Sequence, residues 1–535
     1  MKIGIFHGYE LTGSGSNEYT RYLARALAAA GHEIHIICRE PVPESIEFIN
    51  KSIQWDEFGK SKILFERKVL QKGNCILHQL PLPLINAVYL TDKQRKGNVK
   101  AFINLTDDEL RVYHEFVVRT LQPVLENHPL DILHANHLIY QPVAAAEACK
   151  TRGIPLIIYP HGSDIEYTIR KDRRFKELAL QAILKASGLI IGNHEVRDRI
   201  LNIYPGFRKP ILEKTEIVGV GVDTSLFTPV PKSERRQSIQ KIINKGPFGG
   251  KDPTLTKKLY VQLDQNDILA TTHYYKAYNN NLPDRDLVEH LKLIPWEQKI
   301  LLFVGALTVG KGIQSLIVAL PFILKQQPDI HLLIVGSGAY REVLEGLVYA
   351  ISTKNESLLD GLMSRGYDLD QNELSGKWSD VAYFLDDSKN KTNLLSLGID
   401  LQEHVHFLGR IGHDLLCHLF PCADVSIFPS VVPEAYPLVL MESLSNGVLP
   451  VVSYFSGFAD AVDDLIPYLG QEWVERMKIP VDDQNRIPGL IKNLPAVMSD
   501  PDLSIISPKL RKIAVENFDW NIRAQQMVSA YSRFI

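Results

Sequence analysis

The sequence predicts an α/β protein of two doubly wound, Rossmann-like domains, on three observations. Short apolar runs repeatedly end in polar or glycine-rich turns, as in D-I-L-H-A-N-H (131–137), P-L-I-I-Y-P-H-G-S-D (155–164) and H-L-L-I-V-G-S-G (331–338), the pattern of buried parallel strands. A strand, glycine loop and helix opens the chain at K-I-G-I-F, and a second such unit opens at K-I-L-L-F-V-G-A-L-T-V-G-K-G (299–312). The 535 residues also exceed what one ordinary core accommodates.

Composition narrows the class. Apolar residues at 45% and charged residues at 23% are those of a globular protein, and a formal charge of −3 gives no general attraction to nucleic acid. Cys38, Cys75, Cys149, Cys417 and Cys422 are scattered with no C-x-x-C pair, which fits a reduced, cytoplasmic protein without a structural metal. The first residues already read as a strand, so no leader is expected, and no apolar run reaches bilayer length.

In chain order, the first strand and the segment G-Y-E-L-T-G-S-G-S-N lead into a helix expected over Glu18–Ala30, with Tyr22, Leu23, Ala26 and Leu27 on one face. Gly31 ends it before the strand E-I-H-I-I-C. A glycine loop at that turn lets backbone approach a phosphate. G-S-G-S falls short of G-x-G-x-x-G, and a plain tight turn explains it equally well. From 40 to 110 the alternation weakens while Lys60, Lys62, Arg67, Lys68, Lys72, Lys93, Arg95, Lys96 and Lys100 accumulate. Solvated helices account for most such charge. The interleaved Phe58, Ile63, Leu64, Phe65, Val69 and Leu70 are also compatible with an anionic acceptor or a peripheral membrane contact.

Polar groups at the carboxyl ends of parallel strands are where α/β proteins place chemistry, which singles out His161, although a lone loop histidine is commonly structural. Residues 232–258 carry eight Lys or Arg against Glu234 and Asp252 and read as an inserted surface element. D-Q-N-D (264–267) and D-R-D (284–286) read as surface charge. A second insertion spans roughly 353–402, too long for a plain loop. Lys311 and Gly312, just before a helix expected from Ile313, form a cradle in which a flexible cation suits a diphosphate.

The stretch 427–457, I-F-P-S-V-V-P-E-A-Y-P-L-V-L-M-E-S-L-S-N-G-V-L-P-V-V-S-Y-F-S-G, reads as strand, loop, helix, turn, strand. Pro437 suits the first helical position, which leaves the amides of Leu438, Val439 and Leu440 as donors at a positive helix end. Glu434 and Glu442 flank them. Carboxylates accept from hydroxyls, so acids beside a phosphate cradle suit a nucleotide sugar; a loop acid and a solvent-facing helix acid are the plainer alternative.

The segment E-A-Y-P-L-V-L-M-E (434–442) resembles the E-x7-E signature of retaining, GT-B glycosyltransferases of family four, the glycosyl transferases of group 1. The resemblance implies that Glu434 contacts the donor sugar, that Glu442 holds the ribose, and that the amides of Leu438 and Val439 hold the donor phosphates, with Tyr436 and Pro437 also in the donor site. It also implies that Gly15 lies against the diphosphate or the acceptor and that His161, with Asp164, lies at the donor–acceptor junction. Gly305 and Lys311 match the family's Gly-Arg…Lys-Gly loop, with Ala306 where the family has Arg. Arg410 and Ile411 match the nucleobase contact, and S-G-F-A-D (456–460) the turn covering the donor. Gly221 and Asp223 match the hinge, whose Asn is missing here.

The domains implied are 1–215, on the acceptor side and completed by 515–535 through a last helix crossing back, and 216–514, binding the nucleotide sugar and carrying insertions near 232–296 and 353–402. The activity implied is retaining, metal-independent transfer of a hexosyl group from a UDP- or GDP-linked sugar to an acceptor hydroxyl, with no bound cofactor. A saccharide, lipid-linked or small-molecule acceptor fits equally, in the cytoplasm or at the inner face of a membrane. A GT-B scaffold without activity, serving as a binding partner, is the competing class. A pyridoxal phosphate-dependent phosphorylase would need its own lysine motif, which we do not find.

Overall fold

The computed structural model describes residues 1–89, 98–370 and 375–535. They form two compact units, one of Met1–Asp223, Ala435–Leu438 and Glu516–Ile535, the other of Thr224–Glu434 and Val439–Val515.

The strands of the first unit are β1 (Lys2–Phe6), β2 (Glu33–Cys38), β3 (Lys51–Trp55), β4 (Ser61–Glu66), β5 (Asn74–Gln79), β6 (Asn86–Val88), β7 (Val99–Ala101), β8 (Ile132–Asn136), β9 (Leu156–Tyr159), β10 (Gly188–Ile191) and β11 (Thr215–Ile217). Nine form one sheet in the order β11-β10-β9-β8-β1-β2-β5-β3-β4, and β6 pairs with β7 apart from it. Every pairing in the large sheet is parallel except β3 with β4. Ile3, Ile5, Ile34, Ile36, Ile157 and Ile190 are fully buried, as strands covered by helices on both faces require. Because β11 pairs with β10, the first unit runs past 215/216 to Asp223.

The first helix begins at Gly15, three residues before the expected Glu18, because Ser14 caps it by accepting from the Asn17 amide. Trp520 opens the helix Trp520–Ser532 and stacks on Tyr22 of the first helix at 6.2 Å. That terminal helix therefore belongs to the first unit.

The region 40–110 differs most from expectation. Its central part is not solvated helix but strands β3 to β5, with β4 as the antiparallel edge strand. Ile63 and Leu64 are exposed on that edge, so both faces meet solvent and the alternation that marks a half-buried strand is lost. Nor is Arg67 a free surface cation: its guanidinium donates to the carbonyls of Ile49 (2.8 Å), Glu44 (3.0 Å) and Ile46. Lys93, Arg95 and Lys96 lie outside the described residues.

In the second unit β12 (Lys299–Val304), β13 (Ile330–Val335), β14 (Val405–Gly409), β15 (Val425–Phe428), β16 (Leu449–Ser453) and β17 (Lys478–Ile479) form a parallel sheet in the order β14-β13-β12-β15-β16-β17. This is the 3-2-1-4-5-6 order of a doubly wound fold, with its switch point between β12 and β15.

The segment 232–296 is not a loose surface element. Its helices Arg235–Ile243, Pro253–Asp264 and Leu287–Leu293 bury Ile239, Leu259, Leu263, Leu287 and Leu291. Two of its charges, expected at the surface, are internal: Lys251 pairs with Glu345 (2.5 Å) and Glu342 (3.0 Å), and both oxygens of Asp284 take the Arg341 guanidinium, at 2.8 and 2.5 Å. Burying an ion is costly unless it is paired, and the partners lie too far along the chain for the local sequence to reveal them. The segment 353–402 contributes the helices Glu356–Arg365, Ser379–Asp386 and Ser388–Ser396 and the fully buried Trp378. Among the described residues no helix is long and apolar enough to cross a membrane.

Candidate functional site

Chemistry-bearing residues gather at the switch point of each sheet. In the second unit the loop after β12 ends in Lys311 and Gly312, and the loop after β15 carries Ser430 and Glu434. Lys311 Nζ lies 2.6 Å from Glu434 Oε1, which also accepts from Ser430 Oγ at 2.7 Å. The Glu434 carbonyl accepts from the amide of Gly457 (2.9 Å) and from Ser456 Oγ (2.8 Å), tying the 456–460 turn to this acid. The two loops are laced by the Val431 amide donating to the Gly310 carbonyl at 2.8 Å.

Gly312 is required there. Its φ is +71°, and a Cβ would stand 1.9 Å from the Pro429 carbonyl oxygen. Left-handed backbone alone costs an L-residue about 1–2 kcal/mol, and the blocked carbonyl adds to it. Gly312→Ala should therefore destabilise the protein by at least about 2 kcal/mol, read as a lowered denaturation midpoint. An unchanged midpoint would mean the loop is not held in this form.

The helix after β15 spans Leu438–Ser445, so Pro437 stands just before the first helical residue rather than at it. Tyr436, Pro437 and Leu438 group with the first unit, and Val439 onward with the second. Glu442 does not face solvent: it is buried, with His413 Nε2 3.4 Å from its Oε1. At the same carboxyl edge of the sheet, the loop after β14 is held by the 232–296 segment. The Arg410 guanidinium donates to Asn281 Oδ1 at 2.7 Å, its amide donates to the Leu282 carbonyl, and Ile411 is buried. Gly305 donates its amide to the Val335 carbonyl, and its own carbonyl would stand 1.8 Å from a Cβ on Gly336.

In the first unit the order reverses between β8 and β1, and four histidines cluster at their carboxyl ends. His161 Nε2 meets Asn136 Oδ1 at 2.8 Å; Asn136 Nδ2 reaches Thr20 Oγ1 at 2.9 Å and His7 Nδ1 at 3.2 Å; His7 Nε2 meets Asn17 Oδ1 at 2.9 Å; and Asn17 Nδ2 donates to the Thr12 carbonyl at 2.6 Å. One consistent set of donors follows: His161 and His7 are both protonated at Nε2, and His7 Nδ1 accepts. Burial, with His137, His7 and His134 alongside, holds the His161 ring well below the usual histidine range. Burial likewise takes His7 down to about 3 and His134 to about 4. His161 is thus a neutral ring wired to the glycine loop.

Gly15 gives onto open space, for a Cβ there would meet no atom within 4 Å. Asp164 does not present itself to a ligand. It is fully buried, and one oxygen accepts from the Leu138 amide while the other lies 4.0 Å from His137 Nδ1. It braces the loop after β8.

His35, His78 and His128 hold ring nitrogens within 4.8 Å of one another. Trp55 Nε1 donates to His78 Nδ1 (3.1 Å), His78 Nε2 meets His35 Nδ1 (2.9 Å), and His35 Nε2 meets Glu33 Oε1 (3.1 Å). The indole can only donate, so the His78 proton sits on Nε2, where a metal would have to bind. His78 and His35 form a hydrogen-bonded relay from Trp55 to Glu33, with the His128 ring packed beside them.

Residues 14–205 match the family described as glycosyl transferase 4-like domain, and residues 288–365 with 385–471 match glycosyl transferases group 1. The chain belongs to the group 1 glycosyl transferases. It is 28% identical over 166 residues to an uncharacterized glycosyltransferase of Methanocaldococcus jannaschii, covering 31% of this chain and 30% of that protein. To a phosphatidyl-myo-inositol mannosyltransferase of Mycolicibacterium smegmatis it is 23% identical over 238 residues, covering 44% and 46%. The chain thus spans less than half the length of either curated relative. A sucrose-phosphate synthase from Thermosynechococcus elongatus superposes with a TM-score of 0.55 at 16% identity, covering 99% of this chain and 98% of that one. Anabaena HepE in complex with UDP and glucose superposes with a TM-score of 0.52 at 14% identity, covering 99% of each. At such identities the likeness is one of fold.

Sequence reasoning missed Ser430, His413, Asn17 and His7. Ser430 sits four residues before Glu434, a spacing that could have suggested it; His413 carries no local signal linking it to Glu442.

Proposed function

We propose that this protein is a retaining, metal-independent glycosyltransferase that moves a hexosyl group from a nucleotide-diphosphate sugar to an acceptor hydroxyl. The observation that carries this reading is the pairing of Lys311 with Glu434 at the switch point of the second sheet, where doubly wound folds bind ligands. The ammonium supplies a cation for the diphosphate, and the carboxylate supplies an acceptor for sugar hydroxyls. The start of the helix Leu438–Ser445 adds amides and dipole for the phosphates, and Glu442, oriented by His413, takes the ribose hydroxyls. Arg410 and Ile411 border the base, and Gly305 lets the diphosphate approach. The complex of HepE with UDP and glucose supports a UDP-linked donor, and GDP-linked sugars fit the same groups.

In this reading the second unit holds the donor and the first the acceptor. As the glycosidic bond breaks, negative charge grows on the departing diphosphate, and Lys311 with the helix amides stabilises it. The acceptor hydroxyl attacks the same face and passes its proton to the leaving phosphate, which retains the configuration. His161, neutral and with its Nε2 proton committed to Asn136, serves as a hydrogen-bond acceptor for a sugar hydroxyl and not as an acid.

A thermal-shift titration with UDP, GDP, ADP and their sugars tests this. One nucleotide should raise the melting temperature, since a ligand of the folded state stabilises it, and Glu442→Gln should weaken the response. No shift with any of them would overturn the reading.

A further inference from the structure

The first unit contains a cavity of about 960 Å³ that the donor chemistry does not use. It opens at the carboxyl ends of β1, β2, β5 and β3, the same edge of the sheet as His7 and His161, and Glu10 on its wall is three residues beyond His7. Trp55 forms part of its buried floor. Its rim carries Phe58, Leu82 and Leu84, exposed by 84%, 70% and 82%, with Val112 and Phe116 from the helix Asp107–Asn127. Exposed apolar side chains scattered singly need no explanation, but several around one concavity of ligand size mark a binding site.

The polar lining is unequal. Asp56 Oδ1 accepts from the amides of Phe58 and Lys60, Glu57 pairs with Arg119, Glu115 pairs with Arg111, and Glu10 is likewise partnered. Arg39 on the same wall differs: its Nε and Nη1 are buried and meet no hydrogen-bond partner among the described residues. Arg39 as a whole is half-buried and its guanidinium has no ion pair among the described residues, so an anionic group bound in the cavity would give it a charge-assisted partner.

We propose that this cavity is the acceptor's anchor, and that it takes a single anionic amphiphile whose alkyl or aryl part lies on Phe58, Leu82 and Leu84 and whose phosphate or carboxylate pairs with Arg39. The proposal rests on the reading of the first unit as the acceptor side. One molecule, not a bilayer surface, is the occupant: the site is a concavity of about 960 Å³, which fits a single ligand and not a flat surface.

Calorimetric titration of the full chain with dodecyl phosphate below its micelle concentration tests this, beside dodecyl maltoside, inorganic phosphate and phosphatidylglycerol vesicles. Dodecyl phosphate should bind, dodecyl maltoside more weakly, and inorganic phosphate not measurably. Phe58→Ser with Leu84→Ser, both at exposed positions and so harmless to folding, should weaken dodecyl phosphate by about tenfold or more. Arg39→Gln should reduce it to the level of the maltoside. No binding of dodecyl phosphate, binding indifferent to either variant, or association with vesicles alone would each overturn the proposal. Nucleotide affinity measured on the same preparation separates the two readings: nucleotide binding without amphiphile binding sinks the anchor only, and loss of both sinks the transferase reading.

Discussion

Lys311→Ala should lower kcat/KM by about 100- to 1,000-fold, the usual loss when one preorganised group facing developing negative charge is removed. Lys311 is the one basic side chain in the loop Gly305–Gly312, where Ala306 stands in place of the family's Arg. In the proposed reading, nothing else on that loop supplies a cation to the leaving diphosphate. The fold should be nearly indifferent, because the Lys311 and Glu434 side chains are 30% and 21% exposed and ion pairs so accessible contribute about 1 kcal/mol or less. The expected result is therefore an enzyme with an almost unchanged melting curve, a strongly reduced kcat and weaker binding of the nucleoside diphosphate. Lys311→Arg should recover part of kcat, since charge returns but a planar fork replaces a compact ammonium. A loss of kcat/KM below about tenfold, which is 1.4 kcal/mol, would assign diphosphate stabilisation to the helix amides and leave Lys311 as a partner that merely positions Glu434.

What the sequence made legible follows from how local each signal is. β1, β8, β12 and β13 announce themselves because strands buried on both faces are uninterrupted apolar runs, and the turns after them carry the polar residues that end at the switch points. Lys311, Glu434 and Glu442 are singled out by residue type, by position beside or within a helix start, and by the resemblance of 434–442 to the E-x7-E signature. Their pairing is not, since Lys311 and Glu434 lie 123 residues apart and only the order β12-β15 brings their loops together. The same limit explains Lys251 and Asp284, which look like surface charge until Glu345 and Arg341 are placed beside them. It also explains β4, whose apolar residues face solvent at a sheet edge and imitate no regular period. Asp164 erred in the other direction: its place after His161 suggests chemistry, while its carboxylate is spent on the Leu138 amide.

Acidification from pH 7 toward 4 should destabilise both units well before the carboxylates titrate. Burial takes His7 to about 3, His134 and His331 to about 4 and His406 to about 3, and leaves His161 and His78 well below their ordinary value of 6.5, with neighbouring histidines adding to the effect at every one of these rings except His134. Well above pH 6.5 these rings are neutral in folded and unfolded chain alike, so they add no pH dependence there. Below it the unfolded chain takes up protons that the folded chain refuses, and stability falls until the folded values are reached. Each fully buried ring, His7 and His134 among them, contributes a slope of up to about 1.4 kcal/mol per pH unit in that window. His290 acts in the opposite sense, since its hydrogen bond to Asp286 raises its value and its contribution is present at low pH and lost as pH rises through that raised value. One such ring does not offset six. Glu345, lowered by Lys251 and Arg341 despite its burial, adds a further loss only below the ordinary glutamate range, near pH 4.5. Urea unfolding at pH 8.5, 7.5, 5.5 and 4.5 should accordingly show midpoints that change little between the first two and then fall. His7→Gln should flatten that fall, because an amide keeps a hydrogen bond to Asn17 but binds no proton in either state. A midpoint constant from pH 7.5 to 4.5 would mean that these rings are hydrated enough to be protonated in place, and that His161 meets its ligand as a cation.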